Sequence, residues 1–525
     1  MPPLGKQWIA GETEVGKAGR FHAANPLTRE PIDSETSEAD GSQVARAASA
    51  AANAFEGYRK VAPKQRAVFL RTIAANIEAL GETLIERADL ETALGVDRLR
   101  GERARTTGQL KLFADLIEEG SWVDARIDHA DPNRKPMPKP DVRRMLIPIG
   151  PVAVFAASNF PLAFSVPGGD TASALAAGCP VVVKAHPAHP GTSELVAGAI
   201  TQSVRQFDLP AGVFSLVHGT NNATSISLVQ DEHIAAVAFT GSLRGGRALF
   251  DAAAARPKPI PVFAEMGSVN PVFILPGALA ERKESLAQGL KQSITAGVGQ
   301  FCTKPGVVVG LAGDPFTKLS ESLSQLLQTV PAGALLHGSI LEAYARGSDQ
   351  LGAIKGVGVH RAAGQPNRAT PTLFTTDGAK FLNHAALREE LFGPSSVLVE
   401  ASDVQQMLKI ARAMDGHLTA TVHGTEADIA ANAELIDILQ QRVGRVIING
   451  YPTGVEVCSA MNHGGPYPAT TDARSTSVGT AAIERFVRPI CLQGFPTTAL
   501  PPELQDANPR NIWRLVDNRR TKDSI

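Results

Sequence analysis

Cys302 is the residue whose surroundings point most directly to chemistry. It sits in Gly297-Val298-Gly299-Gln300-Phe301-Cys302-Thr303-Lys304-Pro305-Gly306, just past a helix-length stretch. Flanking glycines permit unusual backbone angles and the close approach of a substrate. A thiolate attacks carbonyl carbon well, but a free thiol with a pKa near ~8.5 is mostly protonated at neutral pH. Such a site needs a base, a positive field, or both. By residue type alone, a small buried apolar cysteine is the commoner outcome. Glu265 lies in Phe263-Ala264-Glu265-Met266-Gly267-Ser268-Val269-Asn270-Pro271, at the end of an apolar run and before a glycine turn. A carboxylate among apolar neighbours is expected to have a raised pKa and to suit general-base work; the plain alternative is a surface acid or helix cap. Asn159, in Ala156-Ala157-Ser158-Asn159-Phe160-Pro161-Leu162, follows another apolar run. Its amide suits an oxyanion or, equally, a turn. Lys184 and His186 in Val183-Lys184-Ala185-His186-Pro187, and Gly241 and Ser242 in Phe239-Thr240-Gly241-Ser242-Leu243-Arg244-Gly245-Gly246, also follow such runs. These are carboxyl strand ends, where open α/β sheets bind ligands. A helix opening after Ser242 would offer its N-terminus to a pyrophosphate, although no G-x-G-x-x-G occurs there.

The elements that must position these residues follow from periodicity. Residues 37–120 read as helical, with Ser37 and Asp40 as an N-cap box and Phe69, Ile73, Ile77, Leu80 and Leu84 as one apolar stripe. After residue 140 come short apolar runs at 152–155, 181–183, 213–217 and 235–239, separated by helix-length stretches such as 167–178 and 191–206. Continuous apolar strands alternating with helices predict a parallel sheet covered on both faces. A second series at 271–275, 307–309, 397–399, 421–423 and 445–449, with a helix over 279–297, predicts a second such domain. The fold class is therefore α/β with two doubly wound domains. Residues 124–144, charged and proline-rich, read as a linker or extended arm, and the polar chain after Pro496 as a surface segment.

Composition removes several classes of function. The 525 residues carry 51 basic and 52 acidic side chains, for a net charge of −1, so no overall field attracts nucleic acid or an anionic membrane. Four cysteines without CxxC spacing exclude a disulfide framework and a metal finger, and no metal is expected. A reducing, cytoplasmic setting is the expectation. The N-terminus lacks the pattern of a secretion signal. The uncharged stretch between Arg144 and Asp170 holds too many prolines to span a membrane.

Taken jointly and in order, N-F-P-L, V-V-V-K, F-T-G-S, E-M-G, G-Q-F-C-T and E-E-L-F-G-P resemble the NAD(P)-dependent aldehyde dehydrogenase superfamily, from about residue 20 to about 495. The resemblance implies Cys302 as the nucleophile, Asn159 with the Cys302 backbone N–H as the oxyanion hole, and Glu265 as the base that activates water. It implies Lys184 at the adenosine ribose, Gly219, Gly241 and Ser242 at the pyrophosphate, and Glu390 and Phe392 around the nicotinamide ribose. It further implies a cofactor-binding domain over 1–123 and 145–264, a catalytic domain over 265–479, an oligomerisation arm from 124–144 and 480–497, and a C-terminal tail over 498–525. The implied assembly is a homodimer or homotetramer.

Three departures stand out. Ser158 replaces the family's Trp, and Ser268 and Val269 replace a Gly and a Lys. Ala185-His186-Pro187 holds no carboxylate to repel a 2′-phosphate; that absence, with Lys184 and His186 nearby, implies NADP as the preferred cofactor and NAD as the alternative. The runs K-A-H-P-A-H-P-G-T-S-E and E-M-G-S-V-N-P-V-F are most similar to the bacterial 2,5-dioxopentanoate (alpha-ketoglutarate semialdehyde) dehydrogenases. The implied reaction oxidises 2,5-dioxopentanoate to 2-oxoglutarate, the alternative substrates being long-chain or other semialdehydes. A substrate carboxylate calls for an Arg, a Lys or a donor cluster, to be sought near Ser158, Phe160, Phe164 and the 452–462 loop. A different class, a cysteine hydrolase or acyltransferase using Gln300, Cys302 and one of twelve histidines, would need no cofactor.

Overall fold

The valine-rich runs form strands because branched side chains suit a pleated, buried surface. In the computed structural model, which describes residues 4–525, five of them build a parallel sheet in the order Val262–Glu265, Ala236–Thr240, Val152–Phe155, Val181–Lys184, Phe214–Val217. The strand Gln7–Ile9 closes one edge in antiparallel fashion and pairs in turn with Glu12–Glu14. Successive side chains point to opposite faces. Val152 and Val154 accordingly join one core with Phe69, Ile73, Ile77 and Phe113. Ala153 and Phe155 join another with Ala47, Ala51, Leu228 and Leu249. Helices Pro63–Ala79, Val96–Glu119, Gly169–Ala177 and Pro190–Gln206 cover the first face. Helices Gly41–Tyr58, Asn222–Gln230 and Leu243–Ala254 cover the second.

The first helix starts later than the pattern of Ser37 and Asp40 predicts. Ser37 belongs to the strand Pro31–Glu38 and donates its hydroxyl to the Gly5 carbonyl. Asp40 is itself the N-cap: it accepts from the Gln43 backbone N–H at 2.9 Å, and the Gln43 side chain accepts from the Asp40 N–H at 3.2 Å. The reciprocal box is real but belongs to Asp40 and Gln43.

The second sheet runs in the order Gly358–Arg361, Thr372–Asp377, Ser395–Ala401, Val307–Leu311, Val272–Ile274, His417–His423, Val443–Ile448, parallel except at its first edge. The helix Pro276–Thr295 packs Leu286, Leu290 and Ile294 against it. A third, five-stranded sheet joins Val487–Gln493, Val142–Pro148, Arg126–Asp128, Arg514–Val516 and Arg519–Thr521. Its last two strands correct the expectation of a surface segment after Pro496. Leu504 and Ile512 are fully buried there, because the polar chain carries widely spaced apolar residues that pack on Val123, Ile127 and Met145. Among the described residues, no helix is long and apolar enough to cross a membrane.

Candidate active site

Parallel strands in register bring their carboxyl ends to one edge. Phe155, Lys184 and Val217 are aligned, as are Thr240 and Glu265. Asn159 emerges beyond the first, His186 beyond the second, Gly219 beyond the third and Gly241 beyond the fourth. A cavity of about 560 Å³ opens at this edge and is lined by Asn159, His186, Gly241, Ser242, Glu265, Cys302, Glu390 and Phe392 among others. Lys184 and Gly219 stand at neighbouring strand ends outside that lining, and a side chain at Gly219 would meet Thr224.

The loop that carries Cys302 is held by its own glycines and by Asn270. Gly297, Val298 and Gly299 all have positive φ (53°, 58° and 70°), a region glycine enters freely and valine does not. Asn270 is fully buried and donates to the Cys302 carbonyl at 2.8 Å and to the Lys304 carbonyl at 3.0 Å. Gln300 is fixed by accepting from the Leu336 N–H at 3.0 Å. Asn159 donates one amide hydrogen to the Gln300 carbonyl at 3.0 Å. Its amide therefore faces the cysteine loop, with a second N–H to offer.

His463, which the motif reading does not include, completes the centre. Its Nε2 lies 3.5 Å from the Cys302 Sγ and 3.0 Å from the Glu265 Oε1. Ser477 donates to the other carboxylate oxygen at 2.5 Å. Donor atoms of Cys302, Glu265 and His463 all lie within 4.8 Å of one another. The raised pKa expected of Glu265 is not found. Burial alone would raise it, but His463, Ser477 and Cys302 hold the carboxyl below its usual range. The Cys302 thiol moves the other way, pushed well up by burial and by the Glu265 charge, with Arg105 opposing.

The cofactor-side residues have their own electrostatics. Burial brings Lys184 down to about 8, against the pull of Glu38. Burial and the neighbouring His189, Lys184 and His337 hold His186 well below the usual imidazole range. Its Nδ1 accepts from the Ala188 N–H at 3.1 Å, leaving the hydrogen of the neutral ring on Nε2. His186 therefore offers a phosphate a donor and no charge. Burial raises Glu390, partly offset by Lys304. Its carboxylate lies over Gly267, where a Cβ would come within 2.6 Å. Ser242 caps the helix Leu243–Ala254 by accepting from the Gly245 N–H at 3.2 Å. That N-terminus, lined by Gly241, Ser242, Arg244 and Gly245, fits a pyrophosphate.

The chain matches the model of the aldehyde dehydrogenase family over residues 13–486. It is 47% identical over 523 residues to alpha-ketoglutaric semialdehyde dehydrogenase 2 of Azospirillum brasilense, covering 99% of this chain and all of that one. It is 45% identical over 522 residues to alpha-ketoglutaric semialdehyde dehydrogenase of Acinetobacter baylyi, covering 99% of both. Its fold resembles that of aldehyde dehydrogenase 21 from Physcomitrella patens in complex with the reaction product succinate (TM-score 0.81, 19% identity, 95% of this chain and all of that one). A betaine aldehyde dehydrogenase double mutant from Staphylococcus aureus in complex with NAD+ is similar at a TM-score of 0.80, with 19% identity over 94% of this chain and 97% of that one. A full-length match of this depth, over a chain whose Cys302, Glu265 and Asn159 meet at one sheet edge, makes this protein an oxidoreductase acting on aldehydes and a member of the aldehyde dehydrogenase family.

Proposed function

We propose that the protein oxidises 2,5-dioxopentanoate to 2-oxoglutarate, prefers NADP, and works through a thiohemiacetal and then a thioester on Cys302. Near-half identity along the whole length of two alpha-ketoglutaric semialdehyde dehydrogenases is the observation that carries the substrate. The chemistry rests on the meeting of Cys302, Glu265, His463 and Asn159. The net reaction consumes aldehyde, oxidised cofactor and water, and yields acid, reduced cofactor and one proton.

Cys302 gives its proton to the Glu265–His463 pair and its sulfur bonds to the aldehyde carbon. Asn159 and the Cys302 N–H stabilise the oxyanion, a contribution worth about 10²–10³ in rate for one donor. A nicotinamide cofactor held at this edge would supply the acceptor for that carbon's hydride, so that the carbon would remain on Cys302 as the thioester. With the first proton released to solvent, Glu265 draws a proton from water as the water oxygen attacks the thioester; the C–S bond breaks, the leaving sulfur takes that proton, and Cys302 is regenerated. Gly241, Ser242 and the helix behind them would hold the pyrophosphate, Lys184 the adenosine ribose or its phosphate, and Glu390 and Phe392 the nicotinamide ribose. We also assign residues 124–144 and 480–497 to subunit contacts in a homodimer or homotetramer.

The decisive experiment assays a panel of aldehydes with each cofactor. Reduced NADP should form fastest with 2,5-dioxopentanoate; a strong preference for NAD, or for long aliphatic aldehydes, removes that part of the assignment. Lys184 supplies a second prediction. It is cationic below about pH 8 and neutral above, so attraction of a 2′-phosphate is lost as pH rises. Each unit above 8 lowers the charged fraction about tenfold. The Kd for NADP, from fluorescence titration, should therefore rise between pH 7 and pH 9 while that for NAD changes much less. Parallel pH profiles would exclude Lys184 from the phosphate.

A further inference from the structure

Phe160 and Phe164 line the cavity beside Cys302, and cationic side chains stand behind both. The helix Val96–Glu119 presents Arg98, Glu102 and Arg105 on one face, at spacings of four and three. Two of these three serve the oxyanion loop, and each keeps one buried atom without a partner, Nη1 of Arg98 and Oε2 of Glu102. Glu102 accepts from the Leu162 and Ala163 N–H groups at 2.8 and 2.9 Å. Arg98 donates to the Asn159 carbonyl at 2.8 Å and lies about 5 Å from the ring centres of Phe160 and Phe301, tying the oxyanion loop to the cysteine loop.

Arg105 reaches a different loop. Its guanidinium lies 5.6 Å from the Phe164 ring, and Phe164 packs 6.4 Å from the His463 ring. It donates through Nη1 to the Val455 carbonyl at 2.8 Å, while its Nη2 is buried without a partner. Arg445 reaches the same loop from the strand Val443–Ile448. It donates through Nη2 to the Pro452 carbonyl at 3.0 Å and the Gly454 carbonyl at 3.3 Å, and its Nε is buried without a partner. Two cations, one from the helix Val96–Glu119 and one from the strand Val443–Ile448, thus converge on one short stretch of backbone, just outside the lining of the cavity that holds Cys302. Burial lowers both, and the leading opposing influence on each comes from the thiolate form of Cys302. The one acidic side chain of this loop, Glu456, is exposed and accepts from the Val457 N–H.

A buried guanidinium with an unspent donor is built for a planar, two-oxygen anion. We propose that Arg105 and Arg445, seated on the 452–455 backbone, bind the carboxylate of the substrate while its aldehyde end meets Cys302. The inference rests on the reading of the substrate as a semialdehyde that bears a carboxylate, and it names the residues that select that class over uncharged aldehydes.

The test compares kcat/KM for 2,5-dioxopentanoate and for pentanal, which has the same carbon count and no carboxylate, in the wild type, R105M and R445M. The ratio of the two values should fall about 10- to 100-fold in each variant, the loss expected for a hydrogen-bonded charge pair, and mainly through KM. R105K and R445K keep a cation but lose the fork, so their ratios should fall by less; they also guard against a defect in folding. Calorimetric titration with 2-oxoglutarate should show a matching loss of affinity in the methionine variants. A ratio that does not move, because neither rate falls or both fall together, overturns the proposal. If the wild type instead favours succinic semialdehyde, and its advantage over butanal collapses in R105M, the substrate assignment fails and the arginine pair stands.

Discussion

Cys302→Ala is expected to lower aldehyde oxidation by about 10⁴- to 10⁶-fold, the scale on which loss of a covalent nucleophile is felt. Cofactor affinity, read by fluorescence titration, should change by less than about threefold. The geometry supports both halves. Cys302 is the one nucleophilic sulfur beside the Asn159 amide and the Glu265–His463 pair, and neither the imidazole nor the carboxylate can form the same thioester. The cofactor contacts proposed above lie at the helix after Ser242, the Lys184 strand end and Glu390, none of which depends on the sulfur. Substitution also leaves Glu265 bonded to His463 at 3.0 Å and to Ser477 at 2.5 Å, so the base remains in place with nothing to act on. Esters supply the complementary measurement. The thiolate and oxyanion hole that suit an aldehyde also suit an activated ester, so cofactor-independent ester cleavage should vanish in the same variant. Oxidation surviving above about one per cent of the wild-type rate would mean that another residue carries the covalent step.

Much of this centre is legible in the sequence because it depends on local features placed by a regular architecture. Continuous valine at 152–154 and 181–183 marks strands buried on both faces. Once such strands are parallel, the residues after each one share an edge, which is why Asn159, His186, Gly241 and Glu265 meet although up to 106 positions separate them. What the sequence leaves hidden is set by distant contacts. His463 lies 161 residues beyond Cys302 and 198 beyond Glu265, in an irregular segment with no period to say which way a side chain points. With it goes the protonation of Glu265: apolar neighbours argue for a raised pKa, and two remote donors reverse the sign. The same reason hides Asn270, whose amide reaches two carbonyls more than thirty residues away. It also hides the strand Arg514–Val516, whose partner Arg126–Asp128 lies 389 residues earlier by the pairing of Leu515 with Arg126.

Glu265→Gln separates the two halves of the reaction. The variant should be tolerated structurally. A glutamine oxygen can still accept from His463, and Ser477 already has a second acceptor in the His463 carbonyl at 3.1 Å. Its effect on Cys302 runs in the favourable direction: the thiol is held up by burial and then by the Glu265 charge, so removal of that charge lowers its pKa and raises the thiolate fraction at neutral pH. Alkylation of Cys302 by iodoacetamide at pH 7 should accordingly be faster than in the wild type. Acylation should survive, and rapid mixing should show a burst of reduced cofactor close to one equivalent per site. Release of the acid needs a proton taken from water, which an amide does not accept. Turnover after the burst should therefore fall about 10²- to 10⁴-fold, the range for loss of a general base, with the acyl-enzyme accumulating as a mass adduct on Cys302. A wild-type steady rate with no adduct would falsify the assignment of Glu265 as the base and pass that role to His463, whose Nε2 lies 3.5 Å from the Cys302 sulfur.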